Sequence, residues 1–436
     1  VVGLALKVHT VCACKCHAGS EMTQNHIFDL LLRNARLRGG HAPQDIAVRG
    51  GRIVAIGPAL AGAAVVEAVV EEDAGGRLVL PGLVDTHIHL DKSCLLCRCR
   101  DAGGGLKGAI AAVSGLKKEF TVEDVYERGA RTLERAITQG TMHMRTHVEL
   151  DPLVGLRSFE AMKRLKRDYA FAIDLSICVF PQEGMTHDPA VERLLTQALA
   201  EGADLLGGCP YTDADPSLQM ERIFALAVAH DVDLDFHLDF DLDPSWSHLE
   251  EICRRTVAAG WRGRVAVGHA TKLAAIDDAA LGRMIALLAD AGVGVTALPA
   301  TDLYLNGRDA NHRAPRGVAP VHKLAEGGVA VSVATNNVLN PFTPFGDGSL
   351  IRMGNLYANL MHLGPESFGD CLDMISNGAA RLMRVADYGI AVGGWADMIV
   401  LDADDEADAF GGIAAPLMGF KRGRKSFVRP AATLVR

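Results

Sequence analysis

Nowhere in the 436 residues does an uninterrupted apolar run approach the roughly 18 to 20 positions that span a bilayer, so an integral membrane helix is excluded. An excess of positive charge is also missing. Against 53 Asp and Glu stand 44 Lys and Arg, a net of -9, so the clustered cations that neutralise phosphates are lacking, and DNA and RNA drop out as main partners. No secretory signal is evident: the apolar stretch from Val1 to Leu6 is too short, and no small-residue cleavage pattern follows cleanly, so a cytoplasmic protein is expected. Without such a signal the ten cysteines read as free thiols rather than a disulfide framework. Gly103-Gly-Gly opens a loop, but no phosphate-loop Lys and Ser follow it, which removes support for nucleoside triphosphate binding.

What is present is ordinary for a soluble globular chain, 49% hydrophobic and 22% charged, and able to bury a large core. Residues 1–25 read as a leader kept out of fold reasoning, with a plausible start at Met22. Within it, Cys12, Cys14 and Cys16 could bind a soft metal, but the leader reading is preferred.

From Ile27 the pattern is of short strands bounded by Gly, Asn or Pro: Phe28 to Arg33, Asp45 to Arg49 and Arg52 to Ile56. After Leu78-Val-Leu-Pro-Gly it changes to apolar strands alternating with helical segments, the signature of parallel βα units. Eight candidate strands follow: Leu83 to His89, Met142 to Val148, Phe171 to Phe180, Ala203 to Gly207, Val232 to His237, Arg264 to His269, Gly294 to Leu298 and Val329 to Ala334. Between them, segments such as Val122 to Thr138, Leu249 to Ala259 and Asp278 to Ala291 carry apolar residues at three- and four-residue spacing. Eight such repeats are what a (β/α)8 TIM barrel requires, expected here over residues 81–385. Residues 26–80 and 386–436 return to strand composition and are expected to form one small β-sandwich domain from both chain ends.

Chemistry is concentrated at strand ends. His87 and His89, two apart on the first barrel strand, share one side. His237 and His269 end the fifth and sixth strands in the same relative place. Any one of them is explained by a buried histidine bonded to a carbonyl. Four at the C-terminal rim, where function sits in this architecture, point to a shared divalent ion.

The run Pro81-Gly-Leu-Val-Asp-Thr-His-Ile-His-Leu-Asp resembles the amidohydrolase superfamily, closest to its cytosine deaminase and N-isopropylammelide amidohydrolase branch. Met144-Arg-Thr-His-Val, Val179-Phe-Pro-Gln-Glu-Gly, Leu305-Asn-Gly-Arg and Asn340-Pro-Phe-Thr-Pro-Phe-Gly carry the same resemblance onward. It implies one divalent metal, zinc or iron, held by His87, His89 and His237, with His269 as a catalytic group. It also implies a substrate pocket with Gln182, Asn337 and Phe342, in which Gln182 offers both a donor and an acceptor to a cyclic amide or ureide. His147, after Arg145-Thr on the second strand, either orients a neighbour or is an ordinary core histidine.

Two departures stand out. Where the family expects a strand-eight aspartate this chain has Asn336, whose amide is far too weak a base to take a proton from water. Where the deaminases expect a proton-carrying glutamate it has Phe240. Asp239, with Asp241, is a candidate replacement acid if the strand continues past His237; a surface acidic run is the alternative. The expected activity is metal-dependent hydrolysis of a non-peptide carbon–nitrogen bond in a small cyclic amidine, amide or N-heterocycle. The alternative is a catalytically impaired homologue that only binds a small ligand. The partner is a small-molecule substrate; self-association to a homo-oligomer is compatible with the sequence but marked by nothing in it.

Overall fold

In the computed structural model, which describes residues 26–435 apart from 41, 59, 61–65 and 100–103, both chain ends build β structure around a central barrel. The cluster of Cys12, Cys14 and Cys16, and Gly103, lie outside the described residues. The first five strands are β1 (His26–Ala35), β2 (Gln44–Arg49), β3 (Arg52–Gly57), β4 (Val66–Asp73) and β5 (Val79–Pro81). The barrel strands are β6 (Leu83–Ile88), β7 (Thr141–Glu149), β8 (Asp174–Phe180), β9 (Leu205–Gly208), β10 (Asp233–Leu238), β11 (Val265–His269), β12 (Val293–Ala297) and β13 (Val331–Val333). The chain finishes with β14 (Met398–Leu401), β15 (Pro416–Lys421) and β16 (Arg424–Val428).

Strands β6 to β13 pair in sequence order and all in parallel, an eight-stranded sheet. It closes on itself through a parallel bridge between Ile88 and Asn336. Their near-continuous burial is what strands covered on both faces need. The helices around them include α1 (Gly105–Leu116), α2 (Val122–Thr138), α3 (Arg157–Asp168), α4 (Pro189–Ala200), α5 (Pro216–His230), α6 (Leu249–Ala259), α7 (Asp278–Ala291) and the short α8 (Pro299–Leu305). Their starts are written in the sequence: Thr121, Asp188, Asp215 and Asp277 each accept a backbone N–H of the first turn. In α2, Val125, Gly129, Leu133 and Ala136 form the buried stripe. The third barrel strand begins at Asp174, not Phe171, which is 61% exposed in the preceding turn.

Two four-stranded sheets, β3-β2-β1-β4 and β16-β15-β14-β5, share a core that includes Leu30, Leu32, Val48, Met398 and Phe420. Both chain termini contribute, as the composition implied. A buried ion cluster fixes this unit to the barrel floor. Lys421 Nζ donates to Asp397 Oδ2 at 2.6 Å, Asp174 Oδ2 at 2.8 Å and the Met142 carbonyl at 3.2 Å. His143 Nε2 stands 3.2 Å from Asp397 Oδ2. His143, Asp174 and Asp397 could by themselves hold a cation, but the Lys421 ammonium already supplies that charge. The crossing into the barrel is at Gly82, where a Cβ would lie 2.4 Å from Met142 Sδ.

Candidate active site

Strand ends deliver the histidines to one point at the C-terminal mouth. His87 Nε2 and His89 Nε2 lie 3.1 and 3.0 Å from His237 Nε2, and all three rings are buried. Their Nδ1 atoms have no hydrogen-bond partner. Burial first, and then neighbouring imidazoles and cations, hold all three well below the ordinary histidine range. For all three, that direction favours the uncharged imidazole, the form that ligates a metal. Their planes are inclined at 70°, 41° and 70° to one another, so the in-plane lone pairs can converge. Buried and without other partners, the three imidazoles offer the kind of nitrogen donors that a divalent cation takes, although the histidine group whose nitrogens all lie within 4.8 Å of one another contains His87 and His237 but not His89. Gly268 makes the room: a Cβ there would sit 2.9 Å from His87 Nδ1.

His147 offers a rival set, because its nitrogen falls within 4.8 Å of those of His87 and His237. Its ring, however, stacks on His87 with centroids 3.7 Å apart and 23° between planes. Stacked rings have parallel lone-pair planes and cannot both aim at one ion. His147 Nε2 instead faces Asp235 Oδ2 at 3.5 Å, which Arg145 holds at 2.7 Å. That geometry places His147 against the back of His87.

His269 ends β11 at a φ of +71° and donates from Nδ1 to Asp302 Oδ1 at 2.6 Å, leaving Nε2 for the cavity. Asp302 is fully buried and also accepts the Leu298 N–H. Burial raises its pKa, and His269 pulls the other way. Sequence reasoning missed Asp302. The one available signal was an acidic residue just after the seventh barrel strand, in Pro299-Ala-Thr-Asp302.

Asn336 lines the same cavity. Its N–H donates to the His87 carbonyl and its carbonyl accepts the His89 N–H, both at 2.8 Å, so the backbone is pinned at both ends. Both amide atoms of its side chain are buried without a partner. The residue sits at a φ of +62°, a conformation Asn tolerates better than most.

Asp239 is not brought to the site. The strand ends at Leu238 and Asp239 turns at a φ of +51°, so the alternation that would send residues 239 and 241 inward breaks. The Asp239 carboxylate accepts from Ser247 Oγ at 2.5 Å and the His248 N–H at 3.1 Å. Asp241 pairs with Lys272 at 3.0 Å. Both fasten the loop after β10 rather than face the cavity.

The remaining walls carry recognition chemistry. Gln182, Asn337 and Phe342 all line the cavity. Lys92, almost fully buried, reaches Gln182 Oε1 at 3.4 Å and sits 4.2 Å above the Phe342 ring. Its charge is met by Glu149 Oε1 at 2.5 Å. Glu149 in turn meets Lys117 at 2.8 Å, and Lys117 also pairs with Asp151 and Glu183 at 2.7 and 2.6 Å. Burial opposes ionisation of Glu149, but the two lysines outweigh it and hold its pKa at about 2. Glu149 and Lys117 were not read from the sequence, although Arg145, His147 and Glu149 share one face of β7 by alternation.

A sequence model described as "Amidohydrolase family" matches residues 70–167 and 131–411. The chain is 29% identical over 417 residues to N-isopropylammelide isopropyl amidohydrolase of Pseudomonas sp. (strain ADP), covering 91% of this chain and 96% of that protein. To pterin deaminase of Rhizobium rhizogenes it is 31% identical over 364 residues, 82% of each. Among solved structures, 5-methylcytosine deaminase of Klebsiella pneumoniae bound to 5-fluorocytosine superposes with a TM-score of 0.87 at 28% identity, covering 93% of this chain and 99% of that one. No helix among the described residues is long and apolar enough to cross a membrane.

Proposed function

The chain belongs to the amidohydrolase family, whose relatives cut carbon–nitrogen bonds other than peptide bonds, and from that membership we propose that it deaminates or deaminoalkylates a small nitrogen heterocycle. The observation that carries this reading is the convergence of His87, His89 and His237 beside the His269–Asp302 pair, facing Gln182 and Lys92 across one cavity. The three histidines would hold zinc or iron. When bound, such an ion supplies Lewis acidity toward the reacting carbon and toward water.

The protein's own groups divide the remaining work. His269 Nε2 takes the proton of the attacking water and returns one to the departing nitrogen, while Asp302 fixes the tautomer that leaves Nε2 free. The water oxygen bonds to the ring carbon, the exocyclic carbon–nitrogen bond breaks, and ammonia or an amine leaves. Gln182, its Oε1 turned toward Lys92, presents paired donor and acceptor to an amide or ureide edge of the ring. Phe342 supplies an apolar face for the ring. Neither Asn336 nor Phe240 carries a proton in this scheme.

The test is elemental analysis of protein purified without chelator, together with ammonia and amine release from aminopyrimidines, aminotriazines and pterins. About one zinc or iron per chain, lost in His237→Ala, with turnover of at least one ring, is the expected result. Metal-free protein that binds a ring saturably without hydrolysing it would overturn the proposal in favour of a binding protein.

A further inference from the structure

The catalytic cavity has only about 10 Å³ of free volume, room for one water at most and for no heterocycle. Directly outside it lies an open vestibule of about 830 Å³. Three side chains line both spaces: Leu106 at the start of α1, Phe240 in the loop after β10, and Leu305 at the end of α8. Phe240 and Leu305 are 6% and 7% exposed, and the Phe240 ring stands edge-on to His269, centroids 4.4 Å apart at 86°. The dividing wall between solvent and the reacting groups is thus apolar and one side chain thick.

We propose that Leu106, Phe240 and Leu305 form an entry constriction, and that Phe240 is the side chain that selects which ring reaches His269. The backbone around the constriction is unusual. Gly104 and Gly105 precede Leu106 at φ of +70° and +79°, and Gly307 follows Leu305 at +66°, conformations that glycine adopts freely. The other end of α1 is fixed, because Lys117 just beyond it is locked into Glu149, Asp151 and Glu183. The end of α1 that carries Leu106 is thus the one not held by ion pairs to Lys117. A ring that enters must displace Phe240 from His269 and then lie against it, which favours a flat, unsubstituted single ring. A bicyclic or N-alkylated ring meets the constriction before it meets the donor set of Gln182 and Lys92. An apolar passage also disfavours ionised substrates, whose charge would lose its hydration on the way through.

This inference borrows the ring substrate from the hydrolase proposal, but its first test needs no turnover. The probe is diethyl pyrocarbonate, with modification mapped by mass spectrometry on the metal-loaded enzyme. Phe240→Ala is expected to speed labelling of His269 by about tenfold, because a buried Phe holds the passage shut, while half-buried His230 at the end of α5 labels at its wild-type rate. Leu305→Ala and Phe240→Leu repeat the measurement with smaller changes of volume, so a misfolded Phe240→Ala does not decide the matter. An unchanged His269 rate in every variant that labels normally at His230 overturns the constriction. The second test is the ratio of kcat/KM for a pterin to that for an aminopyrimidine, expected to rise about tenfold or more in Phe240→Ala. A constant ratio with faster labelling keeps the gate and overturns the selection. Absence of turnover in every protein would count against the hydrolase proposal alone.

Discussion

Replacing Asp302 with Asn leaves shape and volume nearly intact and removes one charge from behind His269. In the native protein the Nδ1–H donates over 2.6 Å to a carboxylate shielded from water, and the Leu298 N–H holds the other oxygen. A charge-assisted hydrogen bond of this kind contributes about 1.5–3 kcal/mol, and Asn can also donate to Nδ1 and so favour the wrong tautomer. If that stabilisation is realised while His269 carries the proton in the transition state, kcat should fall by roughly 10- to 150-fold. KM should change little, since Asp302 does not line the cavity. The assay is steady-state ammonia release, with ¹⁵N shifts of the His269 imidazole reporting which nitrogen is protonated. Metal content should match wild type. A kcat within about twofold of wild type, with metal retained and the tautomer reversed, would refute the assignment of His269 as proton carrier.

Two further outcomes rest on the charges around the barrel. Lys117→Met leaves Glu149, Asp151 and Glu183 without their shared cation and should lower unfolding stability by about 3–5 kcal/mol in urea titrations; a loss below about 1 kcal/mol would mean that water reaches the cluster. Asp397 behaves as a depressed carboxylate: burial would raise its pKa, but the His143 hydrogen bond and the Lys421 charge bring it to about 2. Its contribution, about 2 kcal/mol, is therefore complete above the unfolded-state value near 3.8 and disappears as pH falls toward 2. Asp397→Asn should cost stability at pH 7 and progressively less below pH 4, and a pH-independent cost would show that the ion cluster is not its cause.

The barrel was legible because parallel strands covered on both sides read as short apolar runs, and because α2, α6 and α7 begin after Thr121, His248 and Asp277 with a clear one-sided stripe behind. The four histidines were legible for a related reason: each lies within one residue of a strand's end, and strand ends in this fold share one rim. Asp302 was not, since it stands on a short helix where a single acidic residue has no periodic partner. The Lys92, Lys117 and Glu149 cluster joins the segment after β6, the residue after α1 and the end of β7, and the pairing of β6 with β7 that brings two of them together has no local sequence signal. Asp239 misled because alternation was extended beyond a strand that a positive φ ends at Leu238.

Asn336 shows how a neutral side chain can occupy a place where the family resemblance anticipates an acid. Its backbone bridges His87 and His89, so the side chain is aimed into the cavity whatever it carries. An added carboxylate there would lie among three buried imidazoles and be costly to ionise in the metal-free protein, with Lys92, already paired to Glu149, as the cation lining the same cavity. The same carboxylate would stabilise a bound dication strongly, since ligand charge tunes affinity. Asn336→Asp should therefore destabilise the metal-free chain while tightening zinc by about tenfold or more in chelator competition. Equal zinc affinity in the two proteins would mean that residue 336 does not face the ion, and that His87, His89 and His237 complete its protein ligands on their own.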